Sequence, residues 1–249
     1  MFKFKKKEVS SEAPKKETKT ESLKSILLAI FLALVFRSSI ASPYKIPSGS
    51  MIPTLKIGDF IFVSKLSYGI KVPFTNYNIV NFSPPERGDV IVFIEPRQRK
   101  LDYIKRVIGV PGDKIEIKND RLYVNGKMMD RKEFNDPSLL SDYPQPAVRD
   151  AATVYKENLE GVEHIIMEFS RLAENFQEVT VPAGHLFMMG DNRDNSGDSR
   201  VFGFLPISNV RGRAMFIWLS LDSVNPWIRF SDNFAIPSIR FKRFGRPVI

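Results

Sequence analysis

The chain has 249 residues, 43% of them hydrophobic and 12% aromatic, enough for one large or two small domains with a sizeable core, which excludes wholesale disorder. It has no cysteine, so a disulfide scaffold, a thiolate zinc site and a cysteine nucleophile are excluded, and His164 and His185 are its two imidazoles. The net charge of +9 sits at the ends, +4 in residues 1–24 and +3 in residues 222–249, so no broad basic face remains for a phosphate backbone and nucleic-acid binding is not expected.

Residues 1–22 are rich in Lys, Glu, Ser and Thr and poor in apolar side chains, and are expected to form a disordered basic tail. Residues 26–36, ILLAIFLALVF, carry no polar residue, and the segment 23–41 is expected to be a transmembrane signal-anchor helix. From Leu23 to Ile40 such a helix reaches about 27 Å, close to a hydrocarbon core of about 30 Å, with Lys24 and Arg37 extending to opposite interfaces. The segment is too evenly apolar for an amphipathic helix on a soluble core. Ser39-Ile40-Ala41 supplies the small residues of a secretory cleavage site, so a removed signal peptide is the alternative. In both cases the Lys-rich tail keeps the N-terminus cytoplasmic and puts residues 42–249 across the membrane.

Beyond Ser42 the pattern changes to short alternating runs at 59–66, 88–96, 101–110, 113–118, 121–127, 161–169, 177–184, 185–190 and 211–222, which read as strands. Pro84-Pro85, Pro111-Gly112 and Asn125-Gly126 punctuate them, and Asn119-Asp120 predicts a tight hairpin. Convincing helices are scarce. The expected fold is mainly β: a membrane-anchored all-β domain of several antiparallel sheets, barrel-like, in which residues 129–176 form a variable, peripheral inserted lobe. No internal repeat is present.

Three stretches could carry chemistry. In Ile46-Pro47-Ser48-Gly49-Ser50-Met51-Ile52-Pro53-Thr54-Leu55, two prolines stiffen a segment with hydroxyls two residues apart, which is either a polar linker or an exposed nucleophile beside apolar groups. In Asp102–Asp113, strand alternation puts Tyr103, Lys105 and Val107 on one face and Ile104, Arg106 and Ile108 on the other. A lysine there is a snorkelling surface residue or, if buried, a general base with a depressed pKa. Residues 190–200, GDNRDNSGDSR, are a solvated polar loop or a rigid Asp–Arg bracket. The calcium-loop alternative fails, because with Gly197 as the turn glycine Asn192 falls at the first ligand position and Gly203 where a bidentate Glu is required.

Taken together, PSGSMIPTL, RGDVIVF (87–93), YIKRVIGVPGD and GDNRDNSGDSRVFGFLP (190–206) resemble the successive boxes of bacterial type I signal peptidase (leader peptidase), in that family's order and after an N-terminal anchor. They span about 50 residues between Ile46 and Pro206; nothing is carried over for 129–176. The resemblance implies a Ser/Lys-dyad serine endopeptidase of the bacterial inner membrane, single-pass, its catalytic domain extracytoplasmic, removing N-terminal signal peptides from exported preproteins. It implies Ser50 as nucleophile and Lys105 as general base, with the Ser48 hydroxyl and the Ser50 N–H receiving the oxyanion. Ser196 would orient the Lys105 amine, Asp198 and Arg200 would brace the loop, and Tyr44, Ile46, Pro47, Met51, Leu55, Tyr103 and Ile104 would contact substrate. No cofactor or metal is implied; the expected partners are preproteins and the lipid bilayer, and the expected state is a monomer. A lysine can deprotonate serine only when neutral, which burial against apolar atoms achieves. Two other readings remain at this point: a self-cleaving regulator of the LexA type, disfavoured by the apolar segment and the lack of a helix-turn-helix pattern, and a non-enzymatic membrane-tethered β protein.

Overall fold

The computed structural model describes residues 19–39, 41–71, 78–97, 101–143, 145–169, 173–231 and 234–249. Residues 1–18 and Ile40, on which most of the expected tail and part of the expected anchor fall, lie outside the described residues. Helix α1 (Lys19–Ser39) precedes strands β1 (Ala41–Lys45), β2 (Asp59–Ser64), β3 (Gly69–Lys71), β4 (Asn78–Asn81), β5 (Val90–Ile94) and β6 (Asp102–Gly109). Then come β7 (Lys114–Lys118), β8 (Arg121–Val124), β9 (Lys127–Met128), β10 (Asp130–Glu133), the short helix α2 (Pro146–Asp150), β11 (Ala152–Leu159) and β12 (Val162–Phe169). The chain continues through β13 (Phe176–Thr180), β14 (His185–Met189), α3 (Ser199–Phe202), β15 (Leu205–Pro206), β16 (Val210–Asp222), β17 (Ile228–Ser231), β18 (Phe234–Ile236) and β19 (Ser238–Ile239).

The expectation of a mainly β, antiparallel fold is met. The largest sheet has the order β1-β2-β16-β5-β6-β14-β15, with β19 paired to the end of β16. Its middle strands are apolar on both faces because both faces are covered: Val92 and Ile104 join a core with Ile46, Met51, Leu55 and Ile61, while Ile91, Phe93 and Val107 join another with Leu186 and Met188. The thirteen-residue β16 bridges β2 and β5 with repeated register shifts, the irregularities that bend a sheet toward a half-barrel. A second sheet, β13-β7-β8-β9, packs around Ile115, Ile117, Leu122 and Phe187. Its β7–β8 hairpin turns at Asn119 and Asp120, both at positive φ (49° and 62°), the twist that a two-residue hairpin requires.

Each of the nine expected strand runs contains a strand. Among those not anticipated, β11 is instructive: Val154 is buried on one face and Glu157 and Leu159 on the other, and a glutamate at a core position hides the pattern. It pairs with β10 and β12 in a three-stranded sheet, so the segment expected as a peripheral lobe has its own architecture and packs against the site described below.

In α1 the described apolar side chains Leu23, Ile26, Leu27, Leu28, Phe31 and Leu34 are all exposed. Among the described residues no helix is long and apolar enough to cross a membrane. The uninterrupted apolar run, residues 26–36, accounts for only about 16 Å of helix.

Candidate active site

Ser50 opens a tight turn. Ile52 N–H donates to Gly49 O (3.1 Å) and Leu55 N–H to Met51 O (2.8 Å), which winds residues 49–55 into a compact coil and presents Ser50 at its start. Met51 and Leu55, four apart, point to the same side and anchor the turn in the core with no exposure of their own. Lys105 arrives from the middle of β6, whose partner across the sheet at that position is Ile91. Its Nζ donates to Ser50 Oγ at 2.6 Å and to Ile104 O at 3.0 Å, and lies 5.4 Å from the Tyr103 ring centroid.

Burial strips water from the Lys105 ammonium and lowers its pKa from 10.5 to about 8, outweighing the opposing pull of Asp198 and Asp191. A lysine so placed is partly neutral near physiological pH, and its lone pair can take the proton of the hydroxyl it touches. Neither imidazole is in this pair: His164 is buried beside Glu157 (3.3 Å), and the His185 Nδ1 lies 3.0 Å from Ala183 O.

The loop 190–200 is the Asp–Arg bracket. Asp198 accepts from Gly190 N–H (3.0 Å), from Arg200 N–H (3.2 Å) and from the Arg200 guanidinium at Nε (2.9 Å) and Nη2 (2.8 Å), while Arg200 also reaches Arg193 O (2.6 Å). The expected hydrogen bond from Ser196 to Lys105 is not made. Ser196 Oγ is buried without a hydrogen-bond partner, directly over Gly190, and the Ile104 carbonyl is instead the second acceptor on the amine.

Sequence reasoning also missed what fixes the loop to the Ser50 turn. Asn192 donates from its backbone N–H to Ser50 O (3.1 Å) and from its side chain to Gly49 O (3.0 Å). Asp191 takes a two-pronged bond from Arg106, at 2.8 and 2.7 Å, and a third from Thr54 Oγ1 at 2.5 Å. Burial alone would raise the Asp191 carboxyl, but the Arg106 guanidinium outweighs it and holds the carboxyl below its usual range. Alternation along β6 had already put Arg106 on the apolar face opposite Lys105, a signal that a buried carboxylate must meet it. From the lobe, Met167 N–H donates to Asp191 O (2.8 Å) and Glu157 pairs with a buried Arg193. The expected peripheral segment thus packs against the bracket.

The substrate-contact expectations divide. Ile46, Met51, Leu55 and Ile104 are buried in one core, and Tyr103 lies on the other face of β6 with Lys105, packed against Phe93 (6.3 Å between centroids). The reason is strand alternation, which sends neighbours 103 and 104 to different faces. Pro47 and Ser48 are exposed and Tyr44 is half-buried. Among the described residues no cluster of three or more His, Asp or Glu is arranged to hold a metal ion.

The family described as "Signal peptidase, peptidase S26" matches residues 19–219. The chain is similar to signal peptidase I of Pseudomonas aeruginosa, 42% identical over 210 residues that cover 79% of this chain and 71% of that protein. It is also similar to signal peptidase I of Buchnera aphidicola subsp. Schizaphis graminum, 38% identical over 258 aligned positions covering 90% and 80%. A solved signal peptidase I from Enterococcus faecalis V583 aligns with 53% of this chain and 98% of that one at 28% identity, with a TM-score of 0.33.

Proposed function

The chain belongs to the signal peptidase family, peptidase S26, serine endopeptidases that remove signal peptides from preproteins, and on that premise we propose that Ser50 and Lys105 are its catalytic dyad. The observation that carries this reading is the 2.6 Å contact between the Ser50 hydroxyl and a buried lysine amine. Neutral Lys105 takes the Ser50 proton as Oγ attacks the scissile carbonyl, and the lysine then returns a proton to the departing amine. The acyl-enzyme is released when water, deprotonated by the same amine, attacks it. The Ser48 hydroxyl and the Ser50 N–H receive the oxyanion, and Asp198 and Arg200 hold the loop behind the base.

Specificity follows from crowding. With Ile46, Met51 and Leu55 packed into the core, little depth remains beside Ser50, so small residues fit before the cut. A preprotein with Ala one and three residues before the junction is expected to be cleaved, and Phe in the nearer position to reduce cleavage about 5- to 150-fold, the scale of overpacking by roughly 1 to 3 kcal/mol. Quantified cleavage of both substrates by wild type and by Ser50→Ala tests the reading. Equal cleavage of the Phe variant removes the pocket, and undiminished cleavage by Ser50→Ala removes the nucleophile.

We assign α1 to the membrane as a signal anchor, with residues 1–22 cytoplasmic and residues 42–249 extracytoplasmic. A helix whose described large apolar side chains are all exposed is stabilised by an apolar medium, and in the sequence Lys24 and Arg37 flank the apolar run as cations at the two interfaces do. The chain is expected to stay with membranes after alkaline carbonate extraction, and protease added outside spheroplasts to digest the domain after α1. Release by carbonate, or protection of the domain, overturns the assignment.

A further inference from the structure

The turn that carries Ser50 is held at its front by the bracket loop and at its back by a segment far along the chain, residues 240–243. The turn ends at Thr54 and Leu55, where the chain changes direction to enter β2, and the carbonyls and amides there have no continuing helix to bond with. Arg243 supplies what is missing. Its Nη2 donates to Thr54 O at 2.9 Å, and the same guanidinium binds Asp59, through Nε to Oδ1 at 3.1 Å and Nη2 to Oδ2 at 2.5 Å. Asp59 in turn accepts the backbone N–H of Lys56 (2.8 Å) and the hydroxyl of Ser220 on β16 (2.6 Å).

Arg243 and Asp59 are both buried, so neither charge is dispersed by solvent, and each has its partner in place. Thr54 is therefore gripped twice: its side chain belongs to the Asp191–Arg106 pair behind the bracket loop, its carbonyl to Arg243. Three residues separate it from Ser50, within the turn closed by the Met51–Leu55 backbone bond, so a shift at Thr54 is passed to the nucleophile.

We propose that Arg243 is a positioning residue for catalysis: together with Asp59 it clamps the rear of the nucleophile turn and sets where Ser50 Oγ stands relative to the Lys105 amine. This rests on the reading of Ser50 as nucleophile. Arg243 touches neither Ser50 nor Lys105 and acts through Thr54 O.

The test uses the full-length enzyme in detergent, a peptide spanning a signal-peptide junction, and a count of active sites by single-turnover acylation. Arg243→Lys keeps the charge beside Asp59 but cannot serve Asp59 and Thr54 O with a planar fork. It is expected to fold, to lose about tenfold in kcat per active site, and to keep KM within about twofold, because transition-state geometry and not substrate binding is affected. The pH midpoint of activity is expected to stay put, since the surroundings of Lys105 are untouched. Ser220→Ala, which removes a hydroxyl that donates to Asp59 and accepts from Arg240 Nη1 (3.1 Å), is expected to show the same split with a smaller loss of about threefold. Lys242→Ala, exposed on the same turn, is expected to behave as wild type. The proposal is overturned if Arg243→Lys and Ser220→Ala both keep wild-type kcat per active site, if their losses lie in KM, or if they lower only the number of active sites. Full activity of Ser50→Ala in the same assay is a separate failure, that of the dyad itself.

Discussion

Replacing Lys105 by Ala or by Arg is expected to lower kcat/KM by about 10⁴-fold or more, the scale on which a nucleophile loses its base. Alanine removes the acceptor for the Ser50 proton. Arginine fails for a different reason: the guanidinium stays protonated at any accessible pH and has no lone pair to offer. In the wild type, kcat/KM should rise with pH through the depressed lysine pKa, with its acidic limb at about 8, because only the deprotonated amine is a base. A histidine base would titrate near ~6.5. Replacing His164 or His185 by Ala should therefore leave the limb in place, and a limb near 6.5 that vanishes with either change would overturn the dyad.

The same shift has a signature in stability, and its sign is fixed. Between about pH 8 and 10.5 the unfolded chain keeps the Lys105 proton while the folded chain has lost it, so unfolding becomes harder as pH rises through that window. Below about pH 8 the folded protein carries the full cost of a buried ammonium, about 3 kcal/mol for a shift of this size. Lys105→Met, similar in length and uncharged, should then be inactive yet more stable than wild type at neutral pH, with the difference closing toward pH 10.5. Denaturant midpoints of both proteins at a series of pH values measure it directly. A Lys105→Met protein less stable than wild type at pH 7 would mean that the amine is not desolvated in solution.

How much of this was legible beforehand depended on whether a residue's neighbours in sequence are also its neighbours in space. Strands such as β5 and β6 announce themselves, since apolar side chains at successive positions need no distant partner to be recognised as core. Ser50 and Lys105 stood out as odd members of otherwise regular stretches, a serine between prolines and a lysine within an apolar strand. What holds them was less visible, because charged residues look like surface until their partners are known. Arg106 meets Asp191 across 85 residues and Arg243 meets Asp59 across 184. Glu157 at an inward position of β11 had the further effect of hiding the strand itself. Met51 and Leu55 are legible in the sequence only as apolar residues close to Ser50; it is their spacing in a helical turn that sends both into the core.

Gly190→Ala is expected to reduce kcat about 10²-fold while the protein remains folded. A Cβ at this position would stand 2.4 Å from Ser50 O, 2.3 Å from Ser196 Oγ and 2.7 Å from Ser196 Cβ. Ser196 could yield by rotating its hydroxyl, but the Ser50 carbonyl is main chain, and Asn192 N–H already holds it at 3.1 Å. Relief of the clash therefore requires the loop and the nucleophile turn to separate, which moves Oγ away from the Lys105 amine. Overpacking of this kind costs about 1 to 3 kcal/mol of stability, or about 2 to 10 °C in Tm for a chain of this size, much less than the catalytic loss. Adding Ser196→Gly removes two of the three close contacts and leaves the one with Ser50 O. The double variant Gly190→Ala/Ser196→Gly should thus regain stability but little of kcat. Full recovery of kcat would show that Ser196, and not the backbone of the nucleophile, takes the strain, and activity of Gly190→Ala within about twofold of wild type would show that loop and turn are free to move apart without consequence for the chemistry.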